Sequence, residues 1–459
     1  MIVLQNNFST PEMRAVWSEE NRFQKILDVE RALALAEGEL GVIPKEAAEK
    51  IASVSDISLF DLKEIAEISK TAKHSLVPTL RILQRLAGDY GEFVHYGATT
   101  QDIIDTGLVL QLKETHQIVV RDLKALIAAL AGQAERYKHT PMAGRSHGVQ
   151  AVPMTFGFKL AVFLDEAGRH LERLEAAAER DFYGVLSGAI GTFASFGPKG
   201  PEVEKRSLEI LGLKTPAICW HAAPDRLAEY AALLGLLSAS LGKIGNEFYN
   251  LMRTELGEIE EPFNPGKVGS STMPQKRNPA LFEGLASLSR PALQAADLVR
   301  EGLFVEHERD AMSWRNEWIG LPEVSLYTSF QLAAAILAVK GLVVKPENML
   351  RHLEETGGLI SAENVMFHLG RFVGKQSAHT IVYDISMEAE EKNIPFAKLL
   401  KSSPIVSRYF TAEEIDDLID PEKDTGLSAD VVDRVIQEAY DHRWISEKPD
   451  AGEASLSAH

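Results

Sequence analysis

The stretch GSSTMPQKRNP (269–279) gathers Ser270, Ser271, Lys276, Arg277 and Asn278 into a loop with almost no core-forming residues. Its residues alone leave its task open. Four other polar islands share its character, each at a break between apolar periodic runs. In KTAKHSLVP (70–78), His74 follows Lys73 and stands four residues before Pro78. A lone histidine near a helix end can serve the fold or a site. In HYGATTQDIIDTG (95–107), His95 precedes a glycine, Gly97, that lets the chain turn sharply. Thr99 and Thr100 then stand at an expected helix start, with Asp102 in its first turn. Hydroxyls and backbone N–H groups at a helix N-terminus suit a carboxylate, and a plain capped helix reads the same way. In GRSHGVQAVP (144–153), His147 lies between Gly144 and Gly148 beside Arg145. An imidazole placed beside glycine at an expected helix break is exposed to a cavity, where a pKa near 7 suits a general acid, and a purely structural histidine fits these residues as well. In FVEHERDAMSWRNEWIGLPE (304–323), Glu306, His307, Glu308, Arg309, Asp310 and Arg315 accompany Trp314 and Trp318. That composition fits a solvated charged face or a pocket lined by tryptophan.

The elements that must position these islands are helices. SEENRFQKILDVERALALAEGELG (18–41) has Ser18 as N-cap, apolar residues at i, i+3, i+4 spacing, and an end at Gly41. The same period predicts long helices over 103–138, 155–185, 224–260, 280–303 and 321–343. Helices of that length suggest a bundle. Alternating β-branched runs are scarce, so any strands are short ribbons. Breaks after about residue 100 and at Gly357-Gly358 divide the chain into a helical domain (1–105), a central long-helix domain (106–350) and a C-terminal helical domain (351–445). The small, polar tail 446–459 is expected to be disordered. The apolar faces of the central helices exceed what one chain easily covers, which predicts a homo-oligomer.

Composition narrows the partners. A length of 459 residues is a prior of roughly three domains. A net charge of −18 argues against nucleic acid, whose phosphates need clustered Lys and Arg. No apolar leader opens the chain, and the longest apolar run (230–242) falls short of a bilayer span, so a cytoplasmic protein without membrane contact is expected. The one cysteine, Cys219, excludes an internal disulfide and reads as a small buried residue.

The loop and its companions resemble the fumarase/aspartase superfamily. This group includes fumarase, aspartase, argininosuccinate lyase, adenylosuccinate lyase and 3-carboxy-cis,cis-muconate cycloisomerase. The string G-S-x-x-M-P-x-K-x-N-P carries the resemblance. Together with GVIPKEA, HYGATTQDIIDTGLVLQL, GRSHGVQAVPMTFGFKLA and HERD, it is similar to the adenylosuccinate lyase and cycloisomerase branch. The match extends from PEMRAVWSEENRFQ to about residue 440. The resemblance implies an all-α fold of three helical domains with a long central five-helix bundle. Four subunits would join these bundles into the twenty-helix core of a homotetramer, each active site drawing on three subunits. Neither a metal nor a cofactor is implied.

Residue by residue, the resemblance makes Ser270 the catalytic base, His147 the general acid and Glu283 the carboxylate that orients it. Ser271, Lys276 and Asn278 match ligands of the substrate carboxylate. His74, Thr99 and Thr100 match substrate contacts, with His95 beside them. Arg309 in HERD and Trp220-His221 in ICWHAAPDRLAEY join as substrate-binding candidates. The implied reaction removes a proton next to a carboxylate and expels an amine or alkoxide. Serine can act as the base only where Lys276, N–H groups and a helix dipole stabilise its alkoxide. Donors preformed on the carboxylate take up the carbanion's charge, at ~3 kcal/mol for one donor in a dry site. Gly and Pro residues around 265–269 would let the loop close over substrate.

The chain also departs from the pattern. Adenylosuccinate lyases read the nucleotide with an N-terminal Arg-Tyr pair, where this chain has Asn7-Phe8, and with a later Arg, where it has Trp318. Trp220-His221 and NEWIGLPE resemble the cycloisomerases, but both His74 and His147 are kept. The leading expectation is a lyase that releases fumarate from an N-substituted aspartate, a succinyl-amine. The alternatives are the cycloisomerase, adenylosuccinate lyase proper, and a non-catalytic crystallin-like protein.

Overall fold

A computed structural model describes residues 7–262, 273 and 275–449. Seventeen α-helices and two short antiparallel ribbons make up the regular structure of the described residues. The protein is all-α in class. Five helices come first: α1 (Pro11–Val16), α2 (Glu19–Glu39), α3 (Lys45–Val54), α4 (Leu62–Ala72) and α5 (Val77–Ala87). Ser18 caps α2 as its sequence position predicted, with Oγ accepting from Asn21 N–H at 3.1 Å. After α6 (Thr100–Arg136) the chain forms the hairpin β1 (Pro141–Ser146) and β2 (Val149–Thr155), then α7 (Phe156–Asp181), α8 (Gly200–Leu211) and α9 (Asp225–Leu251). The strand β3 (Ile259–Glu260) leads to α10 (Ala280–Glu301) and α11 (Ala311–Lys340), and β4 (Val343–Val344) pairs back onto β3. Six shorter helices close the chain: α12 (Pro346–Glu354), α13 (Ala362–Val373), α14 (Lys375–Lys392), α15 (Phe396–Ser402), α16 (Ala412–Leu418) and α17 (Ser428–Asp441).

Two helix limits differ from the sequence reading. The helix expected over 321–343 starts at Ala311, with Pro322 inside it. Proline cannot donate to the carbonyl four residues back, so Trp318 loses that bond and the ladder is interrupted beside both tryptophans. The run expected to 260 stops at Leu251, where a turn and β3 take over.

The chain divides into two compact units. The first is Met1–Asp122, His170–Gly242 and Ser287–Ala333; the second is Leu123–Arg169, Lys243–Ala286 and Ala334–His459. All the boundaries fall inside the five long helices, not at the sequential divisions 105/106 and 350/351. Helices α9 and α11 are long and apolar enough to cross a membrane, yet 61% of each apolar window is buried within the protein, as in a core helix. The second unit also has a C-terminal core, in which Val365, Leu369, Phe396 and Leu400 pack together.

Candidate active site

In the first unit, the turn before α6 is held by one buried carboxylate. Asp102 Oδ2 accepts from the N–H of Thr99 and of Gly188, both at 2.9 Å, and Oδ1 accepts from Ser187 N–H at 3.1 Å. This fixes Gly97–Thr100 against the 186–188 segment. Gly97 has φ +77°, and a Cβ there would lie 2.6 Å from the Phe196 ring, so only glycine fits. The turn presents Thr99 Oγ1, which accepts from Arg309 Nη1 at 2.7 Å. His74 lies at the start of α5, where its Nδ1 accepts from the N–H groups of Leu76 and Val77 at 3.2 Å. With Nδ1 an acceptor, Nε2 carries the proton and is left as a donor. His74, Thr100 and Arg309 line one cavity of about 870 Å³, together with Arg22, Trp314 and Trp318.

Behind this wall lies a buried network of titratable groups. His221 is 2% exposed, and its Nε2 is 3.2 Å from Asp102 Oδ1, an ion-pair distance whose angle falls short of a straight hydrogen bond. Burial alone would lower the His221 pKa. Contacts with Asp102 and Cys219 and the charges of Asp105 and Asp102 outweigh it and push the value up to about 10. Asp105 is raised by burial, opposed by the His221 charge and by Trp314, whose Nε1 donates to Asp105 Oδ1 at 2.6 Å. Glu317 is held well above the carboxylate range by burial and then by Asp105. The imidazolium of His221 therefore compensates acids that anchor both the Thr99 turn and Trp314. His95, at φ +61°, pairs Nδ1 with Glu30 Oε1 at 2.7 Å. Burial would lower the His95 pKa, but the Glu30 charge and hydrogen bond more than offset this and raise it.

Trp220 needs correction as a substrate contact. It is 4% exposed and donates Nε1 to the Gly184 carbonyl at 2.9 Å, so its polar atom is spent on packing the fold. His221 likewise sits behind the cavity wall and acts on Asp102, without a surface of its own to offer a ligand. Cys219, expected to be buried, is partly exposed beside His221, whose contact lowers its thiol pKa against the opposing effect of burial.

In the second unit, His147 occupies the tip of the β1–β2 hairpin, not a helix break. Ser146 pairs with Val149, and the two residues between them have φ +53° and +84°, the positive angles a type I′ turn requires. Gly148 meets this requirement freely; His147 meets it at some strain. The side chain is exposed. Behind it, Arg145 makes a two-pronged pair with the fully buried Glu258, at 3.0 and 2.6 Å, and His352 Nδ1 lies 2.8 Å from the same carboxylate. Glu283 is exposed in the first turn of α10, whose Leu281 N–H donates to Glu261 Oε2 at 2.9 Å. Lys276 is exposed and Asn278 half-buried just before that helix. Ser270 and Ser271 lie outside the described residues.

A model of the lyase family matches residues 6–292, and a second, of the adenylosuccinate lyase C-terminus, matches residues 358–435. The chain belongs to the fumarase/aspartase superfamily of lyases. It is 56% identical to the N-acetyl-S-(2-succino)cysteine lyase of Enterococcus italicus, over 95% of this chain and 96% of that one. The protein of the same name from Dickeya dadantii is 53% identical over the same shares. The solved 3-carboxy-cis,cis-muconate lactonizing enzyme of Pseudomonas putida superposes with a TM-score of 0.90 at 34% identity, covering 96% of this chain and all of that one. The superfamily, the all-α class and a β-elimination lyase of the adenylosuccinate lyase type are thus as the sequence predicted.

Within this lyase, the structure joins His74, Thr99, Thr100 and Arg309 in the first unit, whereas His147, Lys276, Asn278 and Glu283 belong to the second. Sequence reasoning missed Arg22 as a cavity residue and Glu258 as the anchor of the hairpin. It read Asp102 only as a first-turn residue, although an Asp at that position is itself the signal for a capping role.

Proposed function

We propose that the enzyme cleaves an S-succinylated thiol, of the N-acylated S-(2-succino)cysteine kind, into fumarate and the free thiol. The observation that carries this is the identity of 53–56% along 95% of the chain to two lyases named for that substrate. Ser270 would take a proton from the succinyl carbon next to a carboxylate. Thr99, Thr100, Ser271, Lys276, Asn278 and Arg309 would hold the carboxylates as charge develops, with the Nε2–H of His74 as a further donor. The C–S bond then breaks, the C=C bond of fumarate forms, and His147, oriented by Glu283, gives the sulfur its proton. Where the sequence reading expected a nitrogen leaving atom, these relatives point to sulfur, which needs less help because a thiol has a pKa of ~8.5 and can leave as thiolate. A cytoplasmic homotetramer built through the long helices of 106–350, with sites shared among three subunits, completes the proposal.

A panel of N-acetyl-S-(2-succino)cysteine, adenylosuccinate, an N-succinyl amine and 3-carboxymuconate tests it. Fumarate is followed by absorbance and thiol by a colorimetric reagent. Equimolar fumarate and thiol from the thioether, with Ser270→Ala slower by about 10²–10⁴-fold, is expected. Turnover of carboxymuconate or adenylosuccinate alone would overturn it.

A further inference from the structure

The cavity of the first unit runs against the charge of the molecule. Its walls carry Arg22, Lys73, Arg309 and Arg315 against Glu19 and Asp310, in a chain whose net charge is −18. Asp310 is already occupied, accepting from the N–H groups of Glu306, Met312 and Ser313. The cavity is thus a local positive field that draws in an anion. Arg309 gives one donor to Thr99 and belongs to the carboxylate clamp proposed above. Arg22 is not so engaged: its guanidinium lies 5.7 Å from the Phe23 ring centre and 5.9 Å from that of Trp318, and among the described residues no acceptor takes a hydrogen bond from it. The acid acting on it is the exposed Glu19, one helical turn back. A partly buried guanidinium with unspent donors is suited to a two-pronged pair with a ligand carboxylate. Beside it, Trp314 and Trp318 pack edge to face at 4.7 Å, and the Asp105 bond fixes Trp314, so the aromatic wall is rigid.

We propose that Arg22 and the Trp314–Trp318 wall form the subsite for the leaving half of the substrate, selecting a thiol that carries its own carboxylate beside a planar acylamide. This rests on the thioether reading above. An N-acylated cysteine supplies both groups: the carboxylate meets Arg22 and the amide plane lies on indole. The same cations exclude the unacylated compound, because its ammonium would sit among Arg22, Lys73 and Arg315. Acylation removes that charge.

The test compares three thioethers on wild type, Arg22→Gln and Arg22→Lys: N-acetyl-S-(2-succino)cysteine, S-(2-succino)cysteine with its free amine, and S-(2-succino)-N-acetylcysteamine, which lacks the leaving-group carboxylate. Wild type should prefer the first. Arg22→Gln should lose about 10- to 100-fold in kcat/KM on it, mostly in KM, and stay within about 2-fold on the cysteamine compound. Arg22→Lys should recover part of the loss, and thermal melts confirm that both variants fold. Equal losses on the two N-acetyl compounds would overturn the subsite. Quenching of tryptophan fluorescence by N-acetylcysteine is read separately. Should wild type cleave no thioether yet bind N-acetylcysteine in an Arg22-dependent way, the thioether reading falls and the subsite stands. Binding without Arg22 dependence would sink the subsite.

Discussion

Glu37 is poorly suited to its surroundings. It is 0% exposed on α2, and neither carboxyl oxygen has a hydrogen-bond partner. Burial first, and then the charge of Glu30, push its pKa up to about 9. The folded state therefore holds a proton that the unfolded chain, at ~4.3, has released by neutral pH. A raised carboxyl pKa favours folding fully below the unfolded value, and the contribution is lost as pH climbs towards 9. Glu37→Gln removes this linkage at nearly constant shape. It should stabilise the protein by about 3 kcal/mol at pH 7, more at pH 8.5, and by nothing near pH 4. Urea unfolding at the three pH values measures this; a gap independent of pH would refute it. At His147 the same reasoning concerns the leaving atom. With thiolate departing, His147→Gln should cost only about 10-fold in kcat, below the usual 10²–10⁴-fold for a general acid. A loss of about 10²-fold or more on the thioether would refute it.

The β1–β2 hairpin shows how an element carries a residue. Arg145, two residues before the turn tip, is tied to Glu258 at the end of the α9–β3 connection, and His352 of α12 meets the same carboxylate. Three segments distant in sequence thus set where His147 stands. Glu258→Gln removes the charge that Arg145 needs. The cost should approach the lower end of about 3–5 kcal/mol, since Arg145 keeps 19% exposure. It should also lower kcat about 10-fold with little change in KM, because misplacing a catalytic group costs rate more than binding. A lower melting temperature with unchanged kcat would make Glu258 purely structural. None of this network was legible in the sequence. The helices were, because the period of α2 and its Ser18 cap are local signals. The hairpin escaped because PMAGRSHGVQAVPMT carries Gly and Pro and lacks clean alternation. The helix expected from 321 begins ten residues earlier, at Ala311, and runs on through Pro322. The motif strings were legible through their resemblance to the superfamily signature, whereas Arg22 and Glu258 are single charges on otherwise ordinary elements, with surroundings visible only in three dimensions.

At the scale of the whole molecule, the long helices expose large apolar side chains that one chain leaves uncovered. In the first unit these include Leu236 on α9, Leu293 on α10 and Ile319 on α11, at 46%, 42% and 52% exposure. In the second they include Val162 on α7 and Leu337 on α11, at 49% and 52%. Apolar residues on several long helices suit burial against copies of the same chain, as the proposed homotetramer requires. That assembly has a kinetic signature that a monomer lacks. If Ser270 and His147 of one site come from different subunits, Ser270→Ala and His147→Gln chains each supply what the other has lost. Coexpressed in equal amounts, they should recover about a quarter of wild-type activity, the share of sites that draw both intact residues at random. Light scattering should report a mass near four chains for the mixture and for each variant alone. If both residues of a site came from one chain, every site would lack one of them. The mixture would then be no more active than its less impaired parent, and the shared-site architecture would fall even with the tetramer intact.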